Sequence, residues 1–129
     1  MNSRIDSLEK IWHNTIMKND RIFSAYRNMW LLVMFDLPTE TAEDKKSYHD
    51  FRESLLSDGF QMIQYSVYLR YCASVENTIV HENRVMNALP PTGNIRCIQF
   101  TDRQFEQMKV FFGRESVPTE KPTSQLSLF

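Results

Sequence analysis

The hydrophobic pattern changes period several times along the chain, and each change marks an element. Residues 30 to 36, Trp30-Leu31-Leu32-Val33-Met34-Phe35-Asp36, form a continuous apolar run that ends in one carboxylate. A run that is apolar at every position fits a strand buried on both faces. After Leu37-Pro38, residues Thr39, Glu40, Thr41, Glu43 and Asp44 place capping oxygens and negative charge where a helix N-terminus favours them, and Tyr48, Phe51, Leu55 and Leu56 then share one helical face. Gly59 ends that helix. The segment from Phe60 to Cys72 is rich in aromatic and β-branched residues and too long for one average strand, so it divides into two strands meeting near Gln64 to Ser66. Ser66 is read there as a turn or bulge residue. Ser74 can cap a second helix in which Val75, Ile79, Met86 and Leu89 share a face, and Pro90-Pro91-Thr92-Gly93 stops it before a strand from Ile95 to Phe100. Residues 102 to 108 read as one or two helical turns with Phe105 and Met108 inward. Lys109 to Phe112 can form a further short strand.

The order is βαββαβ, which predicts an α+β, ferredoxin-like sandwich: a four-stranded antiparallel sheet with two helices on one face, plus an additional short C-terminal strand. The second face of the sheet then needs a cover. Trp30, Tyr65, Tyr68, Tyr71 and Phe100 supply large side chains, and a homodimer packed sheet to sheet would bury them. In the competing arrangement these aromatics all face the helices. Outside the body, taken as residues 29–113, the leader 1–28 carries Ile5, Leu8, Ile11, Trp12 and Ile16 at helical spacing, and residues 114–129 read as a flexible Pro- and Ser/Thr-rich tail with an apolar end.

The 129 residues fit one domain, and the 42% apolar content suffices for a core. With a net charge of −1, no global basic field announces nucleic acid, so any such binding must come from a local stripe or from symmetry. Candidate phosphate contacts are Lys45, Lys46, Arg52, Arg70, Arg84, Arg96 and Arg103, with Arg114 beyond them. Ordinary solvated charge is the competing reading, since Glu43, Asp50, Glu53 and Glu82 interleave with these bases. Cys72 and Cys97 lie in separate apolar segments without CxxC spacing, which predicts buried reduced thiols and a cytoplasmic location. Neither a secretory signal nor a membrane-length apolar run is visible. His13, His49 and His81 have no spacing suited to metal or to a catalytic pair and read as surface residues.

Asp36 is the position at which chemistry enters. A carboxylate at the tip of an apolar strand must stay solvated or meet a cation, although it could also cap the next turn. Dimer symmetry would turn one Asp36 into two facing carboxylates, the minimum for holding a divalent ion with water and phosphate oxygens.

Several segments together resemble a known family. Phe35-Asp36-Leu37-Pro38, Thr41-Ala42-Glu43-Asp44-Lys45-Lys46, the stretch from Gly59-Phe60 through Gln64-Tyr65-Ser66-Val67-Tyr68, and Thr101-Asp102-Arg103-Gln104 leading to Phe111-Phe112-Gly113 are similar, in order and spacing, to the small CRISPR-associated protein of spacer acquisition. That protein is the partner of the CRISPR integrase, and the similarity is greatest to the versions in type II loci. The resemblance implies a ferredoxin-like homodimer that bridges two integrase dimers on double-stranded DNA. It also implies an Mg2+-dependent endonuclease, acting on RNA or DNA, in which Asp36 binds the metal and serves as the catalytic residue. The scaffold role ranks first; a toxin-like endoribonuclease or DNase acting apart from the integrase is the alternative. The leader departs from the family, whose members usually begin near the first strand: either it is a real appendage or translation starts internally, for example at Met17 or Met29.

The last five residues form a separate constellation. Gln125, Leu126, Ser127, Leu128 and Phe129 resemble the short peptide by which bacterial replication proteins dock on the DNA polymerase sliding clamp. The competing reading is a terminal strand that adds to the integrase or to a neighbouring protomer by edge pairing.

Overall fold

The computed structural model describes residues 27–119. The helix expected in the leader, His13 and the terminal peptide 125–129 lie outside the described residues. The elements in chain order are β1 (Arg27–Asp36), α1 (Ala42–Ser57), β2 (Gln61–Gln64), β3 (Val67–Ser74), α2 (Val75–Asn87), β4 (Asn94–Thr101), α3 (Asp102–Glu106), β5 (Val110–Phe112) and β6 (Glu115–Val117). The first four strands make one antiparallel sheet in the order β2-β3-β1-β4, and β5 pairs with β6 separately. This is the predicted ferredoxin-like βαββαβ arrangement.

Local chemistry accounts for the boundaries. Thr41 caps α1 through a reciprocal box: its hydroxyl accepts from the Asp44 N–H at 3.0 Å while the Asp44 carboxylate accepts from the Thr41 N–H at 3.2 Å. At the other end Gly59, at φ +90°, donates to Leu56 O and Phe60 donates to Leu55 O, the paired bonds of a Schellman stop. Ser74 caps α2 from the last position of β3. A second capping box, Thr101 with Gln104, starts α3.

The strand split falls where the sequence pattern places it. Tyr65 and Ser66 form the two-residue turn between β2 and β3, and Ser66 takes φ +60°. The start of the predicted tail is instead ordered: Gly113 and Arg114 form another two-residue turn, and Glu115 to Val117 return as β6 against β5. Glycine at positive φ lets this hairpin close, a signal overshadowed by the polar composition that follows.

Alternation along β1 divides the core. Met29, Leu31, Val33 and Phe35 face the helices and pack with Phe51 and Leu55 of α1 and Val75, Ile79 and Val85 of α2, together with Tyr68. Trp30 and Leu32 face the other way, with Leu69 and with Phe105 of α3. The second sheet face is therefore covered in part by the chain itself. Phe105 stacks on Trp30 with ring centroids 4.8 Å apart, Tyr71 meets Trp30 edge-on, and the Trp30 indole N–H donates to Asp102 Oδ1 at 2.8 Å. The predicted aromatics divide accordingly: Tyr68 faces the helices, Trp30, Tyr71 and Phe100 lie on the outer face, and Tyr65 is exposed in its turn.

Three expectations need correction. Leu89 is exposed beyond the end of α2, and the helix turns Val85 and His81 inward instead. His81 is a buried residue, only 4% exposed, because Asp58 at the end of α1 supplies its polar partner. Cys97 lies exposed on the edge strand β4, whereas Cys72 is buried and its thiol is pushed up to about 12, chiefly by burial. Among the described residues no helix is long and apolar enough to cross a membrane.

Candidate nucleic-acid interface around Asp36

Asp36 stands at the last position of β1, and its neighbours fix it there. The pairing of β1 with β3 ends at Met34 opposite Val67, after which the Phe35 N–H donates to Ser66 O at 3.1 Å. Asp36 itself is paired with β4 alone, opposite Asn94. Gly93 precedes Asn94 at φ +104°; a Cβ there would lie 2.9 Å from the Asp36 carbonyl oxygen and would overlap the Leu37 side chain. The β1 tip and the β4 start thus approach as closely as only glycine permits. In the sequence, Pro90-Pro91-Thr92-Gly93 reads as a helix stop, and its role beneath Asp36 is invisible without the register.

The same register defines the acid's surroundings. Directly opposed residues on antiparallel strands share a face, so Asp36 and Met34 lie on the outer face with Asn94, Arg96 and Ile98. Asp36 and Arg96 are exposed, Met34 is 38% exposed and Ile98 53%. Between this end and the part covered by α3 runs Leu32, opposite Ile98. The result is a solvated carboxylate and guanidinium at the margin of an apolar strip. Among the described residues no three His, Cys, Asp or Glu side chains come together. One chain therefore supplies a single carboxylate at this point, a donor set that fits a divalent ion only when other oxygens complete it.

The predicted basic residues scatter around the fold. Lys45, Lys46 and Arg52 lie on α1, on the helical side of the sheet; Lys46 pairs with Asp50 at 3.7 Å and Arg52 with Glu53 at 3.7 Å. Arg103 is on α3, next to Thr101, which pairs with Met29 at the far end of β1 from Asp36. Arg114 sits in the β5–β6 turn. Arg96 alone of the candidates shares the face and the end of the sheet that carry Asp36.

Arg70 and Arg84 belong to a different construction. Arg70 is 8% exposed, and its guanidinium donates to Asp58 O and Tyr71 O, both at 2.6 Å, so it ties α1 to β3 and is withdrawn from phosphate contact. Arg84 pairs with Asp58 Oδ1 at 2.5 Å, and His81 Nδ1 lies 2.7 Å from Asp58 Oδ2. Burial lowers the His81 pKa below its ordinary value; Asp58 opposes this, while Arg70 and Arg84 add to it. The cluster joins α1, β3 and α2 on the side away from Asp36. His49 is exposed, as read from the sequence.

Fold and site together define a small α+β protein with a ferredoxin-like sheet whose first strand, an inner one, delivers an acid to the end of the sheet. The family model for CRISPR associated protein Cas2 matches residues 29–108, and the chain belongs to that family of CRISPR spacer acquisition. The chain is 52% identical over 106 residues to the CRISPR-associated endoribonuclease Cas2 of Flavobacterium psychrophilum, covering 82% of this chain and 92% of the relative. It is 50% identical over 101 residues to the protein of that name from Parvibaculum lavamentivorans, covering 78% of this chain and 100% of the relative. With the Lacticaseibacillus rhamnosus protein of the same name it shares 40% identity over 87 residues, 67% of this chain and 86% of the relative.

Proposed function

We propose that the protein acts in spacer acquisition as an architectural homodimer that bridges two integrase dimers on double-stranded DNA. The observation that carries this reading is the outer sheet face: α3 covers the Trp30 end, while Met34 and Ile98 are left exposed beside Leu32 at the Asp36 end. A second copy stacked on that strip removes it from water and places two Asp36 carboxylates and two Arg96 guanidinium groups around the twofold axis. The surface so doubled meets a phosphate backbone without reading bases, which suits a protein that accepts many spacers.

Asp36 supports a second reading, the Mg2+-dependent endoribonuclease that the relatives' names describe. Its carboxylate and that of the twofold mate are the groups that would hold the ion, with water and phosphate oxygens completing the shell. The chemistry such an ion would supply, if held there, is polarisation of a phosphodiester and acidification of an attacking water. Asp36 itself contributes charge and position, and its solvated tip leaves room for a backbone to approach.

The C-terminal residues Gln125, Leu126, Leu128 and Phe129 extend the reading to a further partner, the DNA polymerase sliding clamp, which would tether the adaptation machinery to replicating DNA. The core test is twofold. Met34→Lys together with Ile98→Lys should convert the dimer to monomer in hydrodynamic sizing. Asp36→Ala should abolish any metal-dependent cleavage while spacer acquisition in cells persists. Loss of acquisition by Asp36→Ala with dimer and integrase complex intact would reverse the ranking of scaffold over nuclease.

A further inference from the structure

We infer that Arg96 is the phosphate-binding partner of Asp36, so that one nucleic-acid backbone phosphate is held between the guanidinium of β4 and the carboxylate of β1. The inference rests on the reading of this face as a nucleic-acid surface and names the residue that does the holding. Register carries it. Asp36 faces Asn94 and Met34 faces Arg96, so acid and base occupy diagonal positions on the same face of one strand pair. Diagonal neighbours of this kind stand about 7–8 Å apart at their backbones, within reach of a long side chain. Yet the two form no ion pair. Among the described residues neither Asp36 nor Arg96 has a side-chain hydrogen bond or salt bridge, whereas Lys46, Arg52, Arg70 and Arg84 are each engaged with a protein partner.

An unpaired guanidinium beside an unpaired carboxylate offers complementary contacts to one anion. Arg96 can take two phosphate oxygens through its planar fork, and Asp36 can reach another only through a cation. Together they select a phosphodiester with its counter-cation. The remaining candidates cannot do this from where they stand. Lys45, Lys46, Arg52 and Arg84 sit on the helices across the sheet, and Arg103 lies at the opposite end of β1, roughly 20 Å away at the rise of an extended strand. The contact is blind to sequence, because a guanidinium on phosphate oxygens positions the backbone and reads no base edge.

The test uses the full-length protein and two probes, a double-stranded DNA and a single-stranded RNA of fixed length, with anisotropy read in EDTA and again with Ca2+ as a non-cleaving cation. Arg96→Gln should weaken binding about tenfold at low salt and flatten the salt dependence, with unchanged dimer size and melting temperature. Arg96→Lys should restore the salt slope while recovering affinity only in part, since a point charge lacks the fork. The gain in affinity on adding Ca2+ should vanish in Asp36→Ala. Wild-type binding and salt slope in Arg96→Gln would overturn the assignment while leaving the nucleic-acid reading of the face in place. Dissociation of the dimer by Arg96→Gln would also overturn it, by showing that Arg96 pairs with the Asp36 carboxylate of a second copy. Failure of the wild-type protein to bind either probe would remove the underlying reading and Arg96 with it.

Discussion

Gly93 lies against the backbone of Asp36 so closely that a Cβ on Gly93 would stand 2.9 Å from the Asp36 carbonyl oxygen. The glycine also has φ +104°, a conformation that L side chains resist. Gly93→Ala should therefore cost about 2–4 kcal/mol, strain and overlap together. Its thermal midpoint should fall accordingly, while a substitution at Thr92, which is exposed, leaves it within about 0.5 kcal/mol. Equal stability of the two variants would mean that the β1 tip yields freely and that Asp36 is not held by its neighbours.

The Asp58 cluster makes stability depend on pH. The Asp58 carboxylate oxygen accepts from His81 Nδ1–H, and burial of the ring disfavours its charged form. Burial depresses the folded-state pKa of His81 below the unfolded value of about 6.5, so the unfolded chain takes up the proton first as the solution is acidified. Stability from this group is complete above that value and declines as pH falls through it toward the folded pKa. His81→Asn keeps a donor near Nδ1 and should remove this part of the pH dependence. His81→Ala should cost about 1–3 kcal/mol by leaving Asp58 with fewer donors. Urea denaturation at pH 7.5 and 5.5 measures both effects, and parallel pH profiles for wild type and His81→Asn would refute the account.

Much of the architecture is legible in the pattern of residues, and the physical reason is that its signals are local. The Thr41 cap, the Gly59 stop and the split at Tyr65-Ser66 each depend on a few adjacent residues, and all fall where the pattern predicts. His81 and Arg70 read as surface groups in the sequence because their partner, Asp58, is distant along the chain, and no periodicity distinguishes a satisfied buried base from a surface one. The candidate site shows the same division. Asp36 announces itself as an acid closing an apolar run, but the distinction between Arg96 and the seven other candidate bases exists only in the register of β1 with β4. The helical cover over Trp30 is half legible: the pattern turns Phe105 inward but does not specify the surface it meets.

That cover yields a prediction about the outer face. Phe105 is fully buried against Trp30, and Asp102 accepts the indole N–H. Phe105→Ala should cost about 3–5 kcal/mol and Asp102→Ala about 1–3 kcal/mol, the latter by stranding a buried donor. Trp30 reports the change directly: its fluorescence in a Trp12→Phe background should shift to longer wavelength in the Phe105 variant at a denaturant concentration where the protein stays folded. An unshifted spectrum would mean that α3 contributes little to excluding water from this half of the sheet.

The terminal peptide gives the prediction with the widest consequence. Leu126, Leu128 and Phe129 place three apolar anchors within four residues, behind Gln125 and downstream of Pro118 and Pro122, which disfavour a continuous helix across the connection. The described body ends at Thr119, whose hydroxyl donates to Met108 O at 2.6 Å, so the segment departs from a fixed point beside α3. Ten residues beyond that point span at most about 35 Å when extended, enough to engage a partner without disturbing the sheet. Two proposed readings compete for the anchors: docking on a sliding clamp with a preformed apolar pocket, or strand addition to an integrase edge. Truncation after Thr123 distinguishes them. Under the clamp reading, affinity for purified clamp falls at least tenfold, about 1.4 kcal/mol, and Leu128→Ala with Phe129→Ala reproduces the loss while integrase binding is unchanged. Under the edge-strand reading the double alanine variant retains backbone pairing and loses less than the truncation, and the deficit appears with integrase. Unchanged clamp affinity after truncation ends the clamp reading, whatever the integrase measurement gives.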